Sequence, residues 1–195
     1  MLLNSLISLY KDEDDESSVH GIDLITPLSY TTLPSRLTNG TRESLLKALQ
    51  YKKQFPGAVL AFSNPNHSGF RGCDARECEL KKQLIGTVPN VRAGTCSNSI
   101  QEAEAVKAAI PFAPKAILVI CGQAHSRSAR IIWDTVFPDA TVIIRCIPYA
   151  CEYQADHPFG IERYAWPWFF ASLARHALLH VLGIERMRSM KHDTK

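Results

Sequence analysis

One stretch constrains this chain more than any other: Ala116-Ile117-Leu118-Val119-Ile120-Cys121, followed at once by Gly122. Six consecutive apolar residues, three of them β-branched, predict a short strand buried on both faces. Gly122-Gln123-Ala124 then turns the chain, and a helical pattern begins at His125-Ser126-Arg127. A strand that feeds a helix through a glycine turn is half of a βαβ unit. Its turn lies at the carboxyl end of the strand, where parallel sheets bind their ligands. Within residues 125–130 the chain gathers one imidazole, two hydroxyls (Ser126, Ser128) and two guanidinium groups (Arg127, Arg130). This loop is therefore expected to form one wall of a pocket.

The same alternation recurs along the chain. Strands are expected near 22–28, 58–62, 88–93, 116–121 and 141–147, with helices between them. The helix over 41–55, capped by Thr38 or Asn39, has Leu45, Leu46 and Leu49 on one face. Lys52 and Lys53 close its last turn, and Pro56-Gly57 stops it. Further helices are expected over 74–85 and from about Ser99. The pattern predicts an α/β fold: a Rossmann-like three-layer αβα sandwich with a mainly parallel five-stranded sheet. With strand order 3-2-1-4-5, the switch point falls between the first and fourth strands, setting Ser29-Tyr30 opposite residues 122–126.

At 195 residues one domain suffices. Residues 20–150 are read as the α/β domain. Residues 1–19 are read as a short amphipathic helix followed by an acidic linker through Lys11-Asp12-Glu13-Asp14-Asp15-Glu16. Residues 151–182 are read as a loop, able to serve as a lid, and an aromatic helix on the same domain; 183–195 are read as a basic tail.

Polar groups that follow the strands supply the remaining candidates. Ser63, Asn64 and Asn66 fall in a Ser-Asn-Pro-Asn-His-Ser-Gly stretch that suits a plain turn or a pocket rim equally. Ser99 with Glu102 fits a capping box, as does Asn98 with Gln101 in a close variant. Such a start also suits an anion held by free backbone N–H groups. Arg127 and Arg130 stand at the positive end of a helix: either they face an anion, a ligand or a side chain such as Glu77 or Glu102, or they are solvated and point away from the axis. The expected ligand-binding set is Ser29, Tyr30, Ser63, Asn64, Asn66, Glu77, Asn98, Ser99, Glu102, Gln123, Ser126 and Arg127, with His125 as the proton-transfer group.

Other classes are disfavoured. A net charge of +3 gives no basic face for nucleic acid. Six cysteines without a secretory signal read as reduced thiols of a cytoplasmic protein. His176 and His180 have the spacing of two zinc ligands, but no His-Glu-x-x-His and no third ligand accompanies them, and no metal is expected. Walker A, Gly-x-Gly-x-x-Gly and Gly-x-Ser-x-Gly patterns are absent. The apolar stretch 161–182 is interrupted by Arg175, His176 and His180 and broken at Pro167, so a membrane span is not expected. A helix covering the sheet is the main reading for it, and a homodimer contact through Trp168 is the second.

The succession GIDLITPLSY, Gln54-Phe55-Pro56, AVLAFS, CSNSIQEA and AHSRSARIIWDTVFP resembles the ElyC/SanA/YdcF family of bacterial proteins over roughly residues 20–150. The family's N-T-x-E-N-A pattern falls on Asn98, Ser99, Gln101, Glu102 and Ala103. Its H-S-x-R-A pattern falls on His125, Ser126, Ser128 and Ala129; Gln101 stands at the first pattern's glutamate position, Glu102 at its second asparagine position, and Ser128 at the second pattern's arginine position. The resemblance implies a Rossmann-like domain whose polar positions line the carboxyl edge of the sheet. Two functions are then expected as alternatives. One is binding of a small anionic or nucleotide-like ligand there, with or without catalysis through His125; no particular cofactor is implied. The other is an interaction protein with a degenerate pocket that works through its C-terminal helix.

Overall fold

The computed structural model describes residues 2–65, 73–157 and 160–190. Five strands, β1 (Leu24–Pro27), β2 (Val59–Pro65), β3 (Val91–Cys96), β4 (Ala116–Gly122) and β5 (Thr141–Ile147), form one all-parallel sheet in the order β3-β2-β1-β4-β5. Leu24 and Ile25 of β1 and Ile117 to Cys121 of β4 are wholly buried, as strands covered on both faces require. Helices α2 (Asn39–Gln54) and α3 (Cys73–Ile85) follow β1 and β2. Helices α4 (Ser99–Ala109) and α5 (Ser126–Val136) follow β3 and β4 and pack on each other. Crossovers of one hand place these two pairs on opposite faces of the sheet, which makes the fold Rossmann-like. Two further helices, α1 (Leu2–Tyr10) and α6 (Ala165–Met190), complete the structure, with α6 against α5. No helix among the described residues is long and apolar enough to cross a membrane.

Local rules account for most boundaries. Thr38 caps α2 by accepting from Thr41 N, and Lys52 and Lys53 lie in its last turn. Two strands run further than their apolar residues suggest. β2 continues through Ser63, Asn64 and Pro65, and β3 begins at Val91 and takes in Gly94, Thr95 and Cys96, which had read as a turn. Polar residues at the carboxyl end of a parallel strand still complete its ladder, so composition alone ends such strands too early.

The acidic run is not a solvated linker. Asp14 N donates to Ile144 O (3.1 Å), Ile144 N donates to Asp14 Oδ2 (2.7 Å), and Cys146 N donates to Glu13 Oε1 (2.9 Å). β5 is an edge strand whose free N–H and C=O groups need partners, and this segment supplies them. Asp12 and Asp14 also take Arg130, at 2.8 and 2.6 Å, while Glu16 takes Arg145 at 2.6 Å. The anion that Arg130 called for is therefore the chain's own N-terminal segment, not Glu77, Glu102 or a ligand. At the other end, Gly183 (φ 71°) interrupts α6 where the basic tail was expected to begin, yet helix continues to Met190 and Ile184 is buried.

Candidate functional site

At the carboxyl edge, between β1 and β4, lies a cavity of about 100 Å³. Its walls include Ser29, Tyr30 and Thr31 after β1, Cys96 at the end of β3, Asn98, Ser99 and Glu102 at the start of α4, and His125 before α5. The C-terminal segment closes it with Glu162, Trp168 and Arg175. This is the switch point expected from the strand order.

The start of α4 decides which polar groups face the cavity. Asn98 is the N-cap: its Oδ1 accepts from Ile100 N and Gln101 N, both at 3.0 Å, and Gln101 Oε1 accepts from Ser97 N at 2.8 Å. Capping thus uses the Asn98–Gln101 pair rather than Ser99–Glu102, which leaves Ser99 and Glu102 free to turn inward. Glu102 is buried. Its Oε1 accepts from Ser29 N (3.3 Å) and Ser63 Oγ (3.0 Å). Burial pushes its carboxyl up to about 7, against the opposing pull of Lys81 and the Ser63 hydrogen bond. Ser63 also lies 3.1 Å from Cys96 Sγ, a thiol that burial raises to about 12 and so keeps protonated.

His125 is buried between two partners. Arg175 Nη1 stands 3.0 Å from Nδ1, and Ser99 Oγ lies 3.3 Å from Nε2. A guanidinium has only donors, so Nδ1 accepts and the ring proton belongs on Nε2, which donates to Ser99. Desolvation, with the nearby Arg175 charge, depresses this imidazole to about 3. His125 is thus a neutral donor at physiological pH, with its one basic nitrogen occupied. It is not placed to deprotonate Ser99. The arginine itself lies 5.6 Å over the Trp168 ring.

The remaining wall is tied together by hydrogen bonds and ring contacts. Thr31 adopts φ 67°, an unfavourable backbone for a β-branched residue. Its carbonyl is pinned by Thr38 Oγ1 (3.0 Å) and Thr41 Oγ1 (2.8 Å). Tyr30 OH accepts from Gly122 N, and its ring packs edge-on to His125 and Trp168. Residues 148–157, the stretch read as able to serve as a lid, are bonded to the cavity wall at Glu152 and His157. Glu152 is buried, accepting from Ala124 N and Trp168 Nε1, both at 3.0 Å. Desolvation lifts it to about 8. His157 Nε2 reaches Tyr30 O (3.1 Å) and Glu162 Oε2 (2.7 Å).

Of the residues singled out in the sequence, Ser29, Tyr30, Asn98, Ser99, Glu102 and His125 meet at the cavity, with Ser63 directly behind Glu102. Four others are used elsewhere. Glu77 forms a buried ion pair with Lys81 at 2.7 Å and accepts from Ser29 Oγ. Gln123 Oε1 accepts from Tyr149 N (3.1 Å). Ser126 Oγ accepts from Asp12 N (2.8 Å) and donates to Gln123 O (2.7 Å). Arg127 donates to Tyr10 O and covers the Tyr10 ring at 5.0 Å, away from the cavity. The Asn64 side chain and Asn66 lie outside the described residues. Sequence reasoning missed Glu162, Trp168 and Arg175. Arg175 did carry a signal, as the one charged residue between Ala165 and Gly183 in an apolar helix. His176 and His180 pack edge-to-face at 4.6 Å, and no group of three or more metal-ligating side chains occurs among the described residues.

Fold and cavity together define an α/β parallel-sheet protein with a small polar pocket at its switch point. Compared with known proteins, the chain matches no family model, no curated protein and no solved structure.

Proposed function

We propose that this protein binds a small ligand bearing a carboxylate or phosphate in the switch-point cavity, with Arg175 as its anchor. One observation carries the reading. The Arg175 guanidinium lines the cavity and makes no ion pair among the described residues; its partners are a neutral imidazole and an indole face. The Glu162 carboxylate acts on it from beyond ion-pair distance and is itself bonded to His157, so this partly buried cation gains from an anion that completes it. Ser99 Oγ, which accepts from His125 Nε2–H, adds its own O–H as a neutral donor on the same side. A volume of about 100 Å³ equals roughly three waters, well below the ~300 Å³ of a typical ligand pocket. It suits an anionic head group rather than an enclosed nucleotide. Should the site be catalytic, His125 would act as a neutral hydrogen-bond donor and not as a base. The reading rests on Arg175, and the resemblance to ElyC/SanA/YdcF proteins is a separate proposal.

Melting curves with inorganic phosphate and acetate test it. Ligand at about 100-fold its Kd should add ~2.7 kcal/mol of stability to the native protein and to Arg127→Gln. Arg175→Gln and Ser99→Ala should lose that increment while still melting cooperatively. An unchanged increment in Arg175→Gln would overturn the assignment.

A second reading, a homodimer through α6, is favoured by one observation. Trp166, Phe170, Leu173, Leu178 and Val181 are exposed along one helix, with Ala174 and Ala177 among them and no charged residue on that face. An antiparallel pair centred near Ala174 would set Phe170 against Leu178 and Trp166 against Val181 of a second copy, with no like charges opposed. Trp168, expected at such a contact, is instead buried against Glu152. Light scattering should give a dimer that Phe170→Glu converts to monomer; a native monomer at all concentrations would dismiss this reading.

A further inference from the structure

The cavity is bipolar. At one end stand the Arg175 guanidinium and the Ser99 hydroxyl, whose oxygen takes the His125 Nε2–H and whose own proton can donate, with the Glu162 carboxylate acting on Arg175 from beyond ion-pair distance. At the other stands an acceptor, Glu102, whose hydrogen bonds from Ser29 N and Ser63 Oγ both fall on Oε1. Glu102 lines the cavity, and among the described residues no hydrogen bond falls on its second oxygen. Ser99 and Glu102 stand three residues apart on α4, which puts them on one helix face a single turn apart. A ligand head that touches both ends must therefore carry an anion and a donor only a few bonds apart.

Resting on the anion reading above, we infer that the ligand class is the α-amino acid head group, its carboxylate on Arg175 and Ser99 and its ammonium on Glu102. Size and charge support this. The cavity holds a group of about the volume of glycine or alanine, leaving any longer side chain to extend through the mouth. Binding of an ammonium would also complete Glu102, a buried carboxyl whose nearest cation, Lys81 on α3, is already paired with Glu77 at 2.7 Å and bonded to Ser63 O at 2.8 Å. The other groups facing Glu102 are Cys96 at the end of β3, held protonated, and, around the cavity, His125, Arg175 of α6 and Glu162. Glu162 is the competing acceptor, but its Oε2 is taken by His157.

Isothermal titration of the full chain with alanine and with propionate, which lacks only the amine, separates the outcomes. At pH 8 alanine should bind at least about tenfold more tightly than propionate. That advantage should vanish in Glu102→Gln, which should keep its affinity for propionate, and should survive in Glu162→Gln. Because Glu102 holds a proton up to about pH 7, the alanine advantage should fall about tenfold between pH 8 and pH 6. Titrations at pH 6.5 in buffers of different ionisation enthalpy should register proton release. Equal binding of alanine and propionate, lost in Arg175→Gln, would leave the anion site standing and overturn this inference. An advantage that follows Glu162 instead of Glu102 would also overturn it. Failure of both compounds to bind would remove the anion reading and this inference together.

Discussion

Two loops at the same sheet edge, one after β3 and one after β4, carry similar polar cargo and use it in opposite ways. The β4 loop offers Gln123, Ser126 and Arg127, and each is satisfied by another part of the chain: Tyr149 N, Asp12 N and Tyr10 O. The β3 loop offers Asn98, Ser99, Gln101 and Glu102. There Asn98 and Gln101 satisfy the helix start, leaving Ser99 and Glu102 to the cavity. A loop rich in hydroxyls and charges is therefore no guide to a site until its internal creditors are known. What distinguishes the two loops is their neighbours. The β4 loop lies beside the N-terminal segment that covers the edge strand, and the β3 loop lies beside the turn of α6 that carries Arg175.

The sharpest way to break this comparison is at Gly122, where the β4 loop begins. A Cβ there would stand 2.1 Å from the Glu152 carboxyl carbon, far inside van der Waals contact. Glu152 cannot retreat cheaply, because Ala124 N and Trp168 Nε1 hold both of its oxygens. Gly122→Ala is expected to cost ~3 kcal/mol in urea unfolding, the upper part of the range for overpacking a well-ordered interior. It should weaken ligand binding as a consequence, since Trp168 and Tyr30 would both shift. A loss below ~1 kcal/mol would mean that the β4 loop is loosely held and that its polar groups remain open to a ligand after all.

The strand order and the position of the cavity were legible in the sequence because they follow from local apolar runs and the handedness of crossovers. Ser29, Tyr30, Asn98, Ser99, Glu102 and His125 were legible for the same reason, since any residue just past a strand in this fold reaches the carboxyl edge. The other half of the site was not. Arg175 lies about fifty residues beyond His125, on a helix whose place against the sheet depends on α6 packing over α5, and no local pattern encodes that. The acidic run was misread on similar grounds. A string of carboxylates looks solvated until Arg130, Arg145 and the open edge of β5 are brought to it, and those contacts span more than one hundred residues.

The smaller test sharpens the contrast from the other side. Arg127 was the sequence's leading anion ligand, yet its guanidinium is held by the Tyr10 carbonyl and lies over the Tyr10 ring. Tyr10 in turn packs edge-on against Phe169 and His176 of α6. Arg127→Gln should therefore loosen the seam between α1, α5 and α6 by ~1 kcal/mol, the scale of one cation–π contact with a partly exposed hydrogen bond. Hydrogen exchange should show that loss as faster opening of α1, with the central strands unaffected. Affinity for phosphate or acetate should stay within twofold of the native value. A loss of affinity as large as that of Arg175→Gln would mean the two arginines act on one ligand. The distinction between a loop satisfied by its own chain and a loop facing a ligand would then fail at the residue where it makes its clearest claim.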